Sequence, residues 1–331
     1  MSRITNKQLT LKLRELERIL KDTYPLTFEE KKRDWRTYEQ QYMERLKKAM
    51  RHLDPLLTQA TVTIVRAHKR GDDPKLDSKQ KASLLLTKQF VQKSNRVMSA
   101  MLCLFSMLSG IDVSYKTIER LYSDDEVEMA LHNLHMLLLQ QRGVKNVHSS
   151  GDATGYSLTV RKHYASEVRK LKEKAKKHDE RKKKRSFVYN FMLMDLRTRM
   201  YVAYGTSFKS EKEAFDNAMN MLSNLDITLE SVRLDKYYSA QLYVDRFSKS
   251  KVYIIPKSNA TIRGSPHWKE TLRAFIEDTL NFLHEYYQRN NSESGFSADK
   301  KLMGWKVGQK REDRIDIAIR STMVWHNLLC I

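Results

Sequence analysis

Cysteine is almost missing from this sequence. Only Cys103 and Cys330 occur among 331 residues, which excludes a cysteine zinc site and is typical of a protein from a reducing compartment. Glycine and proline are also scarce, with 10 and 5 residues. Because these two residues interrupt regular structure, their scarcity in the first half of the chain predicts a succession of helices there.

Long hydrophobic runs are missing as well. The most apolar run, Val97 to Leu108, is too short to span a bilayer and is interrupted by Ser99 and Ser106, so it predicts a core helix. The first twenty residues lack the apolar core of a secretory signal. The sequence therefore predicts a cytoplasmic protein without a membrane partner.

Positive charge is abundant instead. The chain has 61 Lys and Arg against 40 Asp and Glu, a net charge of +21 and a pI of about 9.7, so a polyanion, nucleic acid first, is the expected partner. Arg161 to Arg185 alone holds thirteen basic and four acidic residues. Its Lys182, Lys183 and Lys184 are candidates for DNA contact, the alternative being a solvated helix or loop.

A change of pattern near Val144 divides the chain. Residues 1–144 predict an all-α domain in which Asp54-Pro55 ends a helix and Ser123 opens another with Glu126 as a capping box. Residues 145–331 alternate strand-like and helical segments. This order predicts a mixed α/β domain after the helical one.

One part of the helical half has the pattern of a helix-turn-helix. Gly110 ends a long helical region, and Ser114 can cap a short helix that carries Lys116 and Arg120. These two side chains are candidates for DNA recognition. Three helices joined by short turns also occur in plain bundle cores, and that alternative stays open.

Two acidic residues follow predicted strands in the second half. The strand from Lys145 ends at Asp152 in the predicted turn GDATG, and the strand Ser231 to Leu234 leads into Asp235. Between them, Phe187 to Asp195 and Met200 to Ser207 predict a β-hairpin. Taken singly, either aspartate can be an ordinary turn former or cap.

A third acid lies in the stretch YYQRNNSESGFSADK. Arg289, Glu293 and Lys300 follow Tyr286 by three, seven and fourteen positions, so one unbroken helix would place all four side chains on one face. A salt-bridged surface helix is the alternative, and a new helix start near Asn291 or Ser292 is also indicated. Two acids at strand ends and one on a helix are what a two-metal phosphoryl-transfer site needs, because Mg²⁺ prefers oxygen ligands.

With these residues in order, the chain resembles the DDE transposases of prokaryotic insertion sequences. The spacing of Tyr286, Arg289, Glu293 and Lys300 fits the branch that is marked by tyrosine, two residues, arginine, three residues, glutamate, six residues and lysine. Asp152 in GDATG and Asp235 in LDKYYS resemble the family's two aspartates, and the resemblance covers residues 95–331.

The resemblance implies a ribonuclease-H-like fold, a mixed sheet with flanking helices. It also implies that Asp152, Asp235 and Glu293 bind two Mg²⁺ ions, or Mn²⁺ in their place, while Tyr286, Arg289 and Lys300 hold DNA phosphates. The implied reaction is cleavage of double-stranded DNA at the element's ends and transfer of the freed 3′-hydroxyl into target DNA, carried out by a homodimer in a synaptic complex. A stand-alone nuclease of this fold and a basic DNA-binding protein with structural acids are the alternatives.

The sequence departs from some of these relatives between the second aspartate and the glutamate. A large β-rich insertion is missing, since only Pro256 to Asn290 follows the last predicted strand. Trp268 is the one tryptophan in this interval, and a core position is expected for it. Whether strand transfer passes through a hairpin intermediate stays open.

Overall fold

A mixed sheet organises the second half of the chain. The computed structural model describes residues 4–23, 34–65, 75–104, 110–158, 187–309 and 311–331. Within these ranges the sheet has six strands: β1 Asn146–Leu158, β2 Phe187–Asp195, β3 Tyr201–Ser207, β4 Thr228–Leu234, β5 Lys251–Tyr253 and β6 Lys306–Val307.

The strand order is β3-β2-β1-β4-β5, and β6 pairs with the end of β1. The first three strands are antiparallel, whereas β4 is parallel to both β1 and β5. Helices cover both faces, which explains why β2 and β3 are buried almost without interruption. This arrangement confirms the predicted ribonuclease-H-like mixed sheet with flanking helices.

Helices make up the amino-terminal part and flank the sheet. The described helices are α1 Asn6–Thr23, α2 Trp35–Thr61, α3 Ser78–Val91, α4 Asn95–Leu104, α5 Tyr115–Leu121, α6 Asp125–Gln141, α7 Glu211–Ser223, α8 Gln241–Val244, α9 Pro266–Glu277, α10 Thr279–Tyr287, α11 Asn290–Met303 and α12 Glu312–Leu329. Short 3₁₀ turns at Lys236–Tyr238 and Asp245–Phe247 flank α8.

Two helix boundaries differ from the predicted ones. Helix α2 continues through Pro55 to Thr61, because Leu56, Leu57 and other residues after the proline are buried in the core, and this burial outweighs the lost backbone hydrogen bond. Helix α6 is capped by Asp124, whose side chain accepts from two backbone amides, rather than by Ser123. The predicted Ser114 cap of α5 is confirmed.

The apolar run in α4 is buried on one side only. Met98 and Leu102 belong to the hydrophobic core, whereas Val97 is exposed. Residues 105–109, which complete the run, lie outside the described ranges. Among the described helices, none combines the length and the apolar composition that a bilayer crossing requires.

The hydrophobic core crosses the predicted boundary at residue 144. One cluster joins helices α2 to α6 to the carboxyl-terminal helix α12, and the Trp325 indole of α12 donates to the Leu86 carbonyl of α3 at 2.8 Å. A second cluster lies on the other face of the sheet and includes Leu9 and Leu16 of α1. Folding as separate domains 1–144 and 145–331 stays a prediction, and the side-chain packing does not follow that division.

Candidate active site

Strand β1 carries the first predicted acid in its middle. The segment GDATG was expected to form a turn, but β1 continues to Leu158 because β2 pairs with it up to Ser157. Asp152 is half-buried, and its Oδ1 accepts from the Ala153 amide at 2.8 Å. The acid is therefore held by a sheet strand and not by a loop.

The second acid lies next to the first because β4 separates from β1 at this point. Gly151 and Leu234 are the last paired residues of the two strands, so Asp152 and Asp235 follow directly on neighbouring strands. A Cβ atom on Gly151 would lie 2.9 Å from the Leu234 side chain, which explains the glycine. Asp235 caps a 3₁₀ turn by accepting from the Tyr237 amide at 2.8 Å.

The third acid lies one turn inside α11. The helical stretch breaks at Gln288 and Arg289, and α11 starts at Asn290 without a side-chain cap. A new helix start was predicted one or two residues later, with a cap. Glu293 is half-exposed, with 49% of its side chain accessible, so its carboxylate faces solvent beside the sheet.

Helix α11 runs beside β1 in the same direction. The Ser292 hydroxyl lies 2.9 Å from that of Ser150, and Lys300 Nζ donates to Thr154 Oγ1 at 2.5 Å. Eight helical residues advance about 12 Å and four strand residues about 13 Å, so the two elements stay in step. This docking fixes Glu293 and Lys300 relative to Asp152.

Arg289 is the cation between the acids. Its Nη1 lies 2.7 Å from Glu293 Oε1 and 3.4 Å from Asp235 Oδ2, and the guanidinium lies 5.4 Å from the centre of the Tyr286 ring. Its buried Nε has no hydrogen-bond partner among the described residues. Such an unsatisfied buried donor is unfavourable.

The charges in the site shift several pKa values. Burial raises the pKa of Asp152 to about 6; the Ala153 amide and Arg289 act against this rise, and the carboxylates of Asp235 and Glu293 add to it. Burial alone would lower the pKa of Arg289, but Tyr286 and the three acids raise it. The site thus has more negative charge than Arg289 neutralises.

Tyr286 and Lys300 do not share one exposed face with Arg289 and Glu293. Tyr286 is buried, and burial raises its pKa to about 12. Lys300 is directed to β1, where it donates to Thr154 Oγ1 and to the Gly155 carbonyl, and burial lowers its pKa. The break at Arg289 separates Tyr286 from the helix register of the other three residues.

The three carboxylates are suitable ligands for a hard divalent cation, but they lie too far apart in this structure to form a metal site together. Asp152, Asp235 and Glu293 offer only carboxylate oxygens, which Mg²⁺ and Mn²⁺ accept. Across residues 4–23, 34–65, 75–104, 110–158, 187–309 and 311–331, however, no three acidic, histidine or cysteine side chains lie close enough together to hold a metal ion. The positive charge between Asp235 and Glu293 is the Arg289 guanidinium.

An ion pair that the sequence did not reveal joins β4 to the end of α10, shortly before Arg289 in the chain. Arg233 of β4 donates to the side chain and to the backbone carbonyl of Glu285 in α10, and it also bonds to Ser231. Glu285 directly precedes Tyr286, so this pair fixes the end of α10 on the sheet. The available signal was Arg233 between Val232 and Leu234 in β4.

The remaining predicted residues lie elsewhere. Lys116 and Arg120 are exposed on α5, which packs against α3 and α4 and is tied to α12 by the Glu119–Arg314 ion pair. Trp268 is buried and donates to the Thr261 carbonyl at 2.9 Å, which confirms its core position. The basic run from Arg161 to Arg185, with Lys182, Lys183 and Lys184, lies outside the described residues.

Comparison with known proteins gives one close relationship. The chain is 40% identical over 319 residues to a protein of Archaeoglobus fulgidus described as a probable transposase for insertion sequence element ISA1214, a match that covers 96% of this chain and 91% of the relative. No protein-family model matches the chain. No solved structure matches it either.

Proposed function

The chain belongs to the family of insertion-sequence transposases, and we propose that it cleaves DNA at the ends of its element and joins the freed 3′-hydroxyl to target DNA by DDE chemistry. The observation that supports this proposal is that Arg289 pairs with both Asp235 and Glu293. Asp152 and Asp235 follow the last paired residues of β1 and β4 at the same place. Double-stranded DNA is the proposed partner, in keeping with the net charge of +21.

The reaction has two steps at phosphorus, first a hydrolysis and then a transesterification. In the first, a water oxygen attacks the phosphorus at the element's end, the bond to the 3′-oxygen breaks, and a 3′-hydroxyl leaves with a proton from the water. In the second, this 3′-hydroxyl attacks a phosphorus of target DNA and loses its proton as the target's own 3′-oxygen departs. Neither step requires a covalent bond to the enzyme.

In this proposal Asp152, Asp235 and Glu293 would hold the divalent cations. Mg²⁺, or Mn²⁺ in its place, would lower the pKa of the attacking water or hydroxyl and stabilise the leaving oxygen. A cation held by Asp235 and Glu293 would compete with their ion pairs to Arg289, and the guanidinium could then donate to a DNA phosphate.

Other contacts belong to the same proposal. Lys300 lies beside Thr154 on β1 and can contact the phosphate backbone next to the acids, with the buried Tyr286 supporting Arg289. Lys116 and Arg120, exposed on α5, are proposed to contact the terminal repeats, and Lys182, Lys183 and Lys184 to contact DNA through their charge. A homodimer that brings two ends together is proposed from the resemblance alone.

Isosteric amides test the proposal. Asp152→Asn, Asp235→Asn and Glu293→Gln keep the size of each side chain but remove the anionic oxygens that hold a cation, so each should abolish cleavage of labelled terminal-repeat DNA in Mg²⁺ or Mn²⁺. DNA affinity should be retained. Glu277→Gln, an exposed glutamate on α9, is the matched control and should cleave normally.

Two results would contradict the proposal. If the wild-type protein binds its terminal repeats but never nicks them with either metal, the chain is a DNA-binding protein with structural acids. If Glu293→Gln cleaves at the wild-type rate in a protein with a normal thermal melt, Glu293 is not part of the catalytic site.

A further inference from the structure

Trp305 stands out among the described aromatic residues because of its exposure and its place. Its side chain is 60% exposed, whereas Trp268 and Trp325 are buried. It lies between the end of α11 and β6, directly after Gly304, whose φ of +83° turns the chain out of the helix. A single exposed hydrophobic residue is common and carries no meaning alone, so the surroundings of the ring decide.

The indole is held in position on the sheet. The Trp305 carbonyl accepts from the Ser157 amide at 3.1 Å, and the next residue, Lys306, pairs with Ser157 in the sheet. Lys300 Nζ lies 5.2 Å from the centre of the indole ring and 5.1 Å from that of Tyr156. Backbone pairing and the cation–π contact together orient a ring of which most remains in solvent.

This ring lies on the side of β1 that carries the acids. Side chains alternate along a strand, so Asp152, Thr154 and Tyr156 share one face. Lys300 meets that face at Thr154 and Tyr156, about 7 Å and 13 Å along the strand from Asp152. Ser157, which holds the Trp305 backbone, is about 16 Å along, roughly five nucleotides on a B-DNA strand.

We propose that Trp305 is a stacking platform for an unpaired nucleobase of the DNA strand whose phosphate Lys300 contacts. The inference rests on the proposed function, since it requires a DNA strand in the site. A flat aromatic face beside a cation is the combination that binds single-stranded nucleic acid, because every unpaired base offers a π-face for stacking and a phosphate for the charge. A paired base inside a duplex is stacked on both flat faces and cannot stack on a side chain.

The position of Trp305 also indicates which part of the DNA strand it would contact. An unpaired base occurs at a frayed or cleaved DNA end. The Trp305 backbone is held by Ser157, about 16 Å along β1 from Asp152, which is roughly the length of five nucleotides. The stacked base would hold the strand end open next to the phosphate that Lys300 contacts. The indole carries no charge, so its contribution to DNA binding should not depend on salt.

Binding of two probes tests the inference in the full-length protein. A short oligothymidylate strand supplies unpaired bases, and a blunt duplex of the same length supplies paired ones. Trp305→Ala should weaken binding of the single strand by about 5-fold to 150-fold, the range measured for one base stacked on an aromatic side chain. Duplex affinity should change by less than about 2-fold, and the salt dependence of both should stay the same.

Two further variants make the test specific. Trp305→Phe keeps an aromatic face and should retain most of the single-strand affinity, whereas Leu280→Ala, which removes a 70% exposed apolar side chain from α10, should bind both probes as the wild type does. Tryptophan fluorescence gives a second readout that does not need the alanine variant. Oligothymidylate should quench the wild-type emission, and most of this quenching should be missing from Trp305→Phe.

The outcomes separate this inference from the proposed function. Wild-type protein that binds neither probe would overturn both. Wild-type protein that binds both probes while Trp305→Ala has unchanged single-strand affinity, or loses both affinities equally, would overturn the stacking role alone. The same holds if Trp305→Phe is as weak as Trp305→Ala, or if Trp305→Ala loses self-association and keeps its DNA affinity, because the ring would then serve packing or a protein contact.

Discussion

Two carboxylates on α11 lie beside cations, and they differ in how completely their oxygens are satisfied. Asp299 is buried, with Oδ1 2.7 Å from His326 Nδ1 and Oδ2 accepting from the Tyr201 hydroxyl at 2.8 Å. Glu293, six residues earlier, is half-exposed, and its Oε1 accepts a hydrogen bond from Arg289. Both oxygens of the Asp299 carboxylate are thus hydrogen-bonded within the protein, whereas the Glu293 carboxylate on the same helix is accessible to a ligand.

The histidine confirms that the buried group is complete. Nε2 of His326 faces the Arg199 carbonyl at 2.8 Å while Nδ1 faces Asp299, so both ring nitrogens meet acceptors and the ring is the charged imidazolium. Burial alone would lower the pKa of His326, but Asp299 raises it well above the ordinary value. A group whose hydrogen bonds are all made inside the protein has nothing left for a ligand. Carboxylate oxygens that are not all bonded within the protein therefore distinguish the candidate site from structural acids.

The largest effect on stability is expected at the buried group. Asp299→Asn leaves the His326 charge buried without its partner, and loss of one member of a buried pair lowers the free energy of unfolding by about 3–5 kcal/mol. Because the folded pKa of His326 is raised, the pair's contribution is complete below the unfolded pKa of about 6.5 and is lost as pH rises through the folded pKa. Urea denaturation measures both.

The matched control is Asp313→Asn, which removes an exposed carboxylate that is paired with Arg311 on the surface. This substitution should change the free energy of unfolding by less than about 1 kcal/mol. If Asp299→Asn is as stable as this control and yet loses DNA cleavage, Asp299 belongs to the functional site and the distinction between the two carboxylates fails.

The next-largest effect on stability is expected at Asp152 in the candidate site, where removing the charge should stabilise the protein. Burial raises the pKa of Asp152 from 3.8 to about 6, so the folded protein binds the proton more tightly and its stability falls as pH rises from about 4 to about 6. At neutral pH the ionised Asp152 lowers the free energy of unfolding by up to about 3 kcal/mol. Asp152→Asn should therefore be more stable than the wild type in EDTA at pH 7, and equal to it near pH 4.

Metal addition sharpens this prediction. Mg²⁺ that binds the folded protein raises its melting temperature by mass action, so the wild type should gain stability with Mg²⁺ while Asp152→Asn should not. Calorimetry with and without Mg²⁺ measures this difference. A wild type that is more stable than Asp152→Asn in EDTA would mean that Asp152 is a structural acid like Asp299.

The sequence placed Asp152 and Asp235 in or directly after strands, as the structure does, but it did not predict their surroundings. The two strands themselves followed from local patterns of apolar and turn residues, whereas the pairing that makes β1 and β4 neighbours is known from the structure. The continuation of β1 past Asp152 could not be predicted, since it depends on pairing with β2 and, at its end, with β6 far along the chain. Tertiary hydrogen bonds here outweigh a turn-like local sequence.

The helix face gave a similar partial result. Spacing alone brought Arg289 and Glu293 together, as an i,i+4 pair should be, but it also grouped Lys300 with them, and Lys300 is directed to Thr154. Periodicity assumes one uninterrupted helix, whereas the chain breaks at Gln288 and Arg289 to bring α10 and α11 onto different parts of the sheet. Burial of Asp299 with His326 was likewise invisible to the sequence, because the two residues are joined only by packing of α11 on α12.

The smallest effect on stability should accompany the largest loss of activity. Glu293 is 49% exposed and pairs with Arg289 one helical turn away, a geometry that contributes about 0.2–1 kcal/mol, and Arg289 keeps its second partner, Asp235. Glu293→Gln should therefore shift the urea midpoint only slightly, and 1 M salt should remove even that difference because exposed pairs are screened. The same purified variant is expected to have no cleavage activity. A Glu293→Gln protein that is destabilised as strongly as Asp299→Asn would show that the half-exposed carboxylate is structural after all, since a residue kept for a ligand contributes little to the fold when that ligand is missing.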